Sequence, residues 1–407
     1  MSTAPNTISS DFKALELNAL LEVTQAINNN LPEESLYKIY HFTMLADLKV
    51  KRLALFVNYE DNWQAKVFFG VPKDFEENIS LEKYLKLKTA IPVGRDKSES
   101  RYFDLAIPIQ HKDRLLAIVL VGGIAEVGLG QWEKSSTNFL EALTNIILVA
   151  IENKKMAREQ LAQEAYKKEL EIAKQVQQFL FPKSLPENEN LEIDAVYQPH
   201  QNVGGDYYDY IKIDEDKFLI CIADVSGKGI PAALMMSNFQ ASLRTMISQS
   251  TDLNVVIQEL NTQLNHSGNG EIFITFFVAI YDKKKQLMKY INCGHNPPIL
   301  SKTKGEMELL EIGTTVLGMF DPLPFLQEGE VTKLANFDLF CYTDGLNEAI
   351  NKKDEEFGED RIEKIILAKQ GQNPKLINES MLNGVIDFKG ETPYRDDVTL
   401  LSIKVKS

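Results

Sequence analysis

Apolar positions fall along this chain in two rhythms: stretches with a period near 3.6, and short dense runs of branched and aromatic residues. FKALELNALLEVTQAINNN, near the start, follows the first rhythm. Leu17, Leu20, Leu21 and Ile27 form its stripe and Thr24 fills the gap, which predicts a helix. RLALFVNYE, QAKVFFGVP, DLAIPIQ and RLLAIVLVGG follow the second rhythm and predict strands. A second helix is expected from Trp132 through Ile151. Residues 12–152 are therefore expected to form one α+β unit.

Between 153 and 182 the chain reads NKKMAREQLAQEAYKKELEIAKQVQQFLFP, with no Gly and no Pro before Pro182. Its strong helix formers predict a helix that continues the preceding one and ends at Pro182. Tyr166, Ala173 and Leu180 recur every seven residues, interleaved with Ala162, Glu169 and Val176. Glu169 breaks an otherwise apolar seam, so a coiled-coil-like paired helix stands beside a solvated connector as the alternative. From 183 to 407, LEIDAVYQP, YYDYIKI, KFLICIADV, EIFITFFVAIYD, QLMKYINC, DLFCYTDG and DVTLLSIKV predict strands. PAALMMSNFQASLRTMISQ predicts a helix with Pro231 in its first turn and Met236, Phe239, Leu243 and Ile247 buried. Antiparallel sheets covered by helices are the expected result.

The length of 407 residues suits two or three domains, and 44% hydrophobic with 25% charged residues is ordinary for a globular protein. A formal charge of −14 argues against nucleic acid or an anionic membrane as the main partner. LLAIVLVGGIA and NIILVAI are too short to span a bilayer, and MSTAPNTISSDFKALEL lacks a basic start and an apolar core, so a cytoplasmic protein without membrane insertion is expected. Cys221, Cys293 and Cys341 are three in number and widely spread, which reads as reduced thiols, with Cys221 and Cys341 in the core.

The candidate chemistry is carried by aspartates. Asp206 follows a Gly-Gly pair in QNVGGDYYDY, Asp224 ends FLICIA, Asp344 ends LFCYT, and Asp396 and Asp397 precede VTLLSIKV. If these ends converge, they form an all-oxygen cluster of like charges, which a pair of hard divalent cations would neutralise. Oxygen-only ligation suits Mg²⁺ or Mn²⁺, and two such ions can acidify a bridging water and orient a phosphoester. Glycines let backbone approach metal and phosphate closely. The plain alternative is a set of turn aspartates.

GGDYYD, ADVSGKGIPAAL, NCGHNPPIL, YTDGLNEA, EEFGEDRI and RDDVTLL occur in the order seen in the bacterial SpoIIE/RsbU-like branch of the PP2C (PPM) phosphatases. Residues 183–407 resemble that family throughout. The resemblance implies a β-sandwich flanked by helices, two Mn²⁺ or Mg²⁺ ions, and hydrolysis of phosphoserine or phosphothreonine by a metal-bridging hydroxide without a covalent intermediate. It implies that Asp206 and Asp224 hold both metals, with the Val225 backbone carbonyl as a further ligand and Asp344 and Asp396 on one metal. Gly205, Asp397 and Lys228 would lie beside the ligands or the phosphate, although a solvated side chain is the simpler expectation for Lys228. Ser226 stands where eukaryotic relatives carry a histidine that protonates the leaving group, which leaves that donor unassigned. His295 stands where they carry an acidic ligand of a third metal, and reads as a hydrogen-bonded structural residue.

Residues 12–152 resemble a GAF-type sensor in their order of elements and in the DLAIPIQHKDRLLAIVLVGG hairpin. No cysteine precedes Cys221, which excludes thioether attachment of a bilin in this unit. Its ligand is unknown, and a ligand-free dimerising role is an equal expectation. EIAKQVQQFLFPKSLP resembles the regulatory helix preceding the catalytic core in this phosphatase branch. The resemblance further suggests a STAS-type anti-sigma-factor antagonist as phosphoprotein substrate, and a homodimer through the first unit and the linker helix. A nucleotide phosphodiesterase would call for histidine ligands, and the chain has five histidines without metal-ligand spacing. A pseudo-phosphatase scaffold is the alternative from another class.

Overall fold

The computed structural model describes residues 6–59, 62–72, 75, 79–93, 101–111, 114–123, 134–268, 272–302 and 305–406. The chain divides into two compact units, Met1–Glu164 and Ala165–Ser407.

The first unit contains α1 (Asn6–Asn28), α2 (Glu33–Phe42), a π-helical turn at Thr43–Asp47, β1 (Arg52–Tyr59), β2 (Asn62–Phe69), β3 (Ile91–Pro92), β4 (Leu105–His111), β5 (Arg114–Gly122) and the start of α3 (Lys134–Gln178). Its antiparallel sheet runs β2-β1-β5-β4-β3. Both faces of this sheet are covered. Leu53, Leu55, Ile107 and Val119 pack with Val23, Tyr40, Leu140 and Ile147 of the helices. The alternate positions Ala54, Phe56, Ala106, Ile118 and Leu120 pack with Phe75, Tyr84 and Phe103. Strands buried on both faces are continuous apolar runs rather than alternating ones, which is how the runs of β1, β4 and β5 read in the sequence; β2, at the sheet edge, is mostly exposed or half-buried.

α1 turns a different face inward from the one its leucines suggest. Ala19, Val23 and Ala26 are buried, whereas Leu17 and Leu21 are 60% and 51% exposed. Small alanine side chains let the helix lie close to its neighbours; of the expected stripe, Leu20 is half-buried and Ile27 packs against the core, while Leu17 and Leu21 are left outside. Lys154 Nζ donates to the carbonyls of Asn30 and Leu31, both at 2.8 Å, and so satisfies acceptors just past the end of α1.

The expected closing helix and linker helix are one helix, α3, which stops at Gln178, ahead of Pro182. Trp132, where it was expected to begin, lies outside the described residues. The seven-residue seam is split. Leu180 packs on the C-terminal core and Ala173 is half-buried, while Tyr166 and Val176 are 57% and 55% exposed. Ala173, Gln177 and Leu180 recur at helical spacing and make the covered face, so the other seam positions point away from it.

The second unit contains β6 (Leu191–Gln198), β7 (Tyr207–Lys212), β8 (Lys217–Val225), α4 (Ile230–Gln249), α5 (Leu253–Gly268), β9 (Ile274–Asp282), β10 (Leu287–Cys293), β11 (Ile299–Ser301), β12 (Glu308–Leu309), β13 (Gly313–Thr314), β14 (Gly329–Val331), β15 (Phe337–Tyr342), α6 (Asp344–Asn347), α7 (Glu359–Lys369), α8 (Pro374–Lys389) and β16 (Val398–Val405). One sheet runs β13-β10-β9-β8-β7, with β14 on β10; the other runs β12-β11-β15-β16-β6. They pack face to face through Ile220, Ile222, Phe277, Ala279, Leu339, Cys341, Leu401 and Ile403. α4 and α5 cover the outer face of the first sheet through Met236, Phe239, Leu243, Ile257 and Leu260, against Leu219, Cys221, Val225 and Phe276. α7 and α8 cover the second sheet through Ile362, Met381 and Val385, against Phe340, Tyr342 and Leu400. The result is a four-layer helix–sheet–sheet–helix sandwich. The three cysteines are free and buried.

Candidate metal centre

Side-chain alternation in the sandwich delivers the acidic cluster. In β8, Ile220 and Ile222 face the opposite sheet, so Asp224 is the next residue on that side. Leu339 and Cys341 point inward from β15, and Thr343 follows them; Ile403 and Leu401 of β16 are continued by Thr399 and Asp397. The chains of Thr343 and Thr399 stay paired there, with Thr343 N donating to Thr399 O at 3.1 Å. Asp206 enters from the turn before β7 and is 1% exposed.

The aspartates sense one another. Burial pushes the Asp206 carboxyl well above its usual range, and the charges of Asp224 and Asp397 push it further. Burial raises Asp224 to about 7, helped by Asp344, Asp396 and Asp397. Asp344 is raised to about 6 by burial, then by Glu348 and Asp396. Asp206 and Asp224 are neighbouring carboxyls, each raised first by burial and then by the charges around it. Residues from four separate segments thus form one destabilised anionic site.

The Gly-Gly pair has a steric explanation. A Cβ on Gly204 would overlap Asp397 Oδ2, and one on Gly205 would lie 2.7 Å from the Val225 carbonyl oxygen. Asp397 uses both oxygens on this turn, accepting from His200 N at 2.7 Å and Gly205 N at 2.8 Å. Asp206 Oδ2 accepts from Thr343 Oγ1 at 2.8 Å and Thr399 Oγ1 at 2.5 Å, which fixes the carboxylate by one oxygen. On the far side of the turn, Gln177 Nε2 donates to Gly204 O at 2.7 Å, and Gly204 N donates to Gln177 Oε1 at 3.3 Å. Thr343, Thr399 and Gln177 were not singled out from sequence. The two threonines carry a readable signal, being polar residues that end inward-facing apolar series; Gln177 sits in a polar helix and carries none.

Lys228 is an exposed side chain, as expected, but an ion-paired one. Its Nζ lies 2.6 Å from Asp396 Oδ2 and donates to the Arg395 carbonyl. Ser226 Oγ accepts from Phe273 N at 2.9 Å and ties the end of β8 to the start of β9. His295 is 4% exposed, its backbone is bracketed by Asn292, and its Nδ1 lies 2.9 Å from Thr275 Oγ1. Burial pushes its imidazole down to about 4, so it stays neutral in its structural role.

Among the described residues, no three acidic, histidine or cysteine side chains stand close enough to hold one ion as they are arranged here, with Asp396 turned to Lys228. The donor set itself is all oxygen, buried and mutually repelling, and Gly205 leaves the Val225 carbonyl without a side chain against it. That chemistry fits Mg²⁺ or Mn²⁺ and does not fit zinc or copper.

Residues 214–406 match the family described as Stage II sporulation protein E (SpoIIE). The phosphoserine phosphatase RsbU of Bacillus subtilis is 33% identical over 187 residues, 46% of this chain and 55% of that protein. The phosphoserine phosphatase RsbP of the same organism is 32% identical over 185 residues, 44% of this chain and 45% of that protein. Protein IcfG of Synechocystis sp. is 27% identical over 270 residues, 58% of this chain and 41% of that protein. The chain therefore spans about half the length of the curated relatives it matches. Among solved structures, the SiaA-PP2C domain of Pseudomonas aeruginosa superposes with a TM-score of 0.54 at 21% identity, over 60% of this chain and 99% of that one. Residues 214–406 of this chain thus match the SpoIIE family model, and the C-terminal unit that contains them has the fold of a PP2C-type phosphatase domain.

Proposed function

We propose that the chain is a Mg²⁺- or Mn²⁺-dependent protein serine/threonine phosphatase. The observation that carries this reading is the meeting of Asp206, Asp224, Asp344 and Asp396 at one end of the sandwich, where their charges are felt mutually. In this reading Asp206 and Asp224 would hold both ions, with the Val225 carbonyl as a further ligand and Asp344 and Asp396 on one of them. Such ions, when bound, acidify water and neutralise phosphoryl oxygens. The chain supplies the rest. Thr343 and Thr399 hold Asp206 by one oxygen and leave the other free of them. Asp397 and Gln177 fix the Gly204–Gly205 turn that carries Asp206.

The substrate in this reading is a phosphoserine or phosphothreonine on a partner protein, with a STAS-domain protein as the class to try first. Two similar proteins carry the name phosphoserine phosphatase, which supports it. The first unit is a GAF-like sensor and the chain a homodimer. Exposed Leu17 and Leu21 on α1, and Leu161, Tyr166, Ile172 and Val176 on α3, are apolar positions that a second copy would cover. Among the described residues no helix is long and apolar enough to cross a membrane; a cytoplasmic site of action is part of the same proposal.

The test is phosphate release from a phosphoserine STAS-domain protein by the full chain, with Mn²⁺ and with EDTA, beside Asp224→Asn. Turnover that needs metal and falls at least a thousandfold in the variant is expected, on the order of what a lost catalytic centre costs. Turnover insensitive to EDTA, or retained in the variant, refutes the reading.

A further inference from the structure

Lys228 sits in the turn Val225-Ser226-Gly227-Lys228-Gly229, which joins the Asp224 strand to α4. Both flanking glycines adopt left-handed backbone, φ +96° at Gly227 and +71° at Gly229, which a side chain rarely tolerates. A Cβ on Gly229 would also come within 2.8 Å of Gln201 Oε1. The turn is thus constrained by its sequence, and Ser226 pins its first half to Phe273 N at 2.9 Å. What it presents is the Lys228 ammonium, 2.6 Å from Asp396 Oδ2 with a second bond to the carbonyl of Arg395. Two acceptors from consecutive residues grip one cation, and one of them is a carboxylate that the metal reading requires. Asp396 N–H is free of this grip, and Asp397 N donates to Asp396 Oδ1 at 2.9 Å, so the second oxygen is also engaged.

We propose that Lys228 is a built-in counter-cation that occupies the Asp396 corner of the centre, and that an incoming divalent ion must displace it. The inference rests on the metal-centre reading above and adds a regulation of it. In the exchange the Lys228 ammonium leaves the Asp396 carboxylate, the ion takes its place, and no covalent bond is broken or made. The exchange sets the metal concentration at which the centre fills. It also frees a cation beside the centre only once the ion is in place, where the phosphoryl oxygens of a substrate would arrive. A shift of the Gly227–Gly229 part of the turn alters metal affinity through this contact.

The experiment uses the full chain with Mg²⁺ alone as the probe, so that no substrate is needed. Isothermal titration compares it with Lys228→Met and with Lys228→Arg, which keeps the charge. Amine labelling read by mass spectrometry follows Lys228 itself, with and without Mg²⁺. The pair is part-exposed, with side chains 44% and 33% accessible, so the expected gain is modest: Lys228→Met should bind Mg²⁺ about two- to fivefold more tightly. Lys228→Arg should stay close to the unsubstituted chain, and Lys228 labelling should rise when Mg²⁺ is added. Equal or weaker binding by Lys228→Met overturns the proposal, as does labelling that is unchanged or reduced by Mg²⁺. Absence of Mg²⁺ and Mn²⁺ binding in the unsubstituted chain as well as in both variants fails the metal-centre reading itself.

Discussion

At the scale of single residues, the site depends on atoms that are missing as much as on those present. Gly204 and Gly205 let the Asp206 turn press against Asp397 and the Val225 carbonyl, and neither contact leaves room for a methyl group. Gly204→Ala is therefore expected to expel the Asp397 carboxylate from its bonds to His200 N and Gly205 N. Thermal unfolding should show a loss of about 1–3 kcal/mol, the usual cost of overpacking, and Mg²⁺ binding should weaken in parallel. An alanine variant with unchanged melting and metal affinity contradicts this account of the turn. The aspartates were legible because each closes or opens an apolar run; Thr343 and Thr399 were legible in principle by the same alternation. The Lys228–Asp396 pair was not, because an ion pair between residues so far apart in sequence exists only once the sandwich has closed.

At the scale of elements, long apolar runs announced themselves and short pairings did not. β8 and β9 are buried on both faces, so FLICIADV and ITFFVAIYD read as strands without help from the rest of the chain. β11 to β14 span two or three residues each and are held by partners rather than by propensity, as in Asn292↔Gly313. α1 shows the opposite error: its leucines carry the stronger hydrophobic signal, yet Ala19 and Ala26 pack because they are small. α3 contributes Gln177 to the neighbourhood of the site, and its amide satisfies both backbone groups of Gly204. Gln177→Ala leaves these buried groups unpaired at a cost of about 1–3 kcal/mol. We expect weaker Mg²⁺ binding with α3 still helical by circular dichroism. Loss of helicity with full metal affinity would show that Gln177 serves the helix and not the turn.

At the scale of the whole molecule, the buried carboxyls make stability depend on pH and on metal together. Asp224 is raised to about 7 and Asp344 to about 6, both first by burial, from an ordinary value of 3.8. A carboxyl whose pKa is raised on folding holds a proton that the unfolded chain has released. Its stabilising protonation is complete below the unfolded value and is lost as pH climbs through the folded one. The metal-free protein is therefore expected to melt at progressively lower temperature from pH 5 to pH 7.5, and Asp224→Asn to flatten that slope. Saturating Mg²⁺ should raise the melting temperature most at pH 7.5, where the carboxylates are charged and ready to bind it. A metal-free melting temperature that rises over this interval, by differential scanning calorimetry, would contradict the placement of these groups.

The layer of Ile222, Phe277, Cys341 and Leu401 between the two sheets has one more consequence. Asp224 hangs from one sheet, while Thr343, Asp397 and the start of α6 at Asp344 hang from the other. The thickness of that apolar filling is the distance gauge of the centre. Substitutions that preserve its volume should be neutral to the chemistry wherever they fall. Those that thin or swell it should detune the centre from afar, without touching a single oxygen of it. Selection on catalysis would then be read in the greasy interior as a constraint on size, and not on identity.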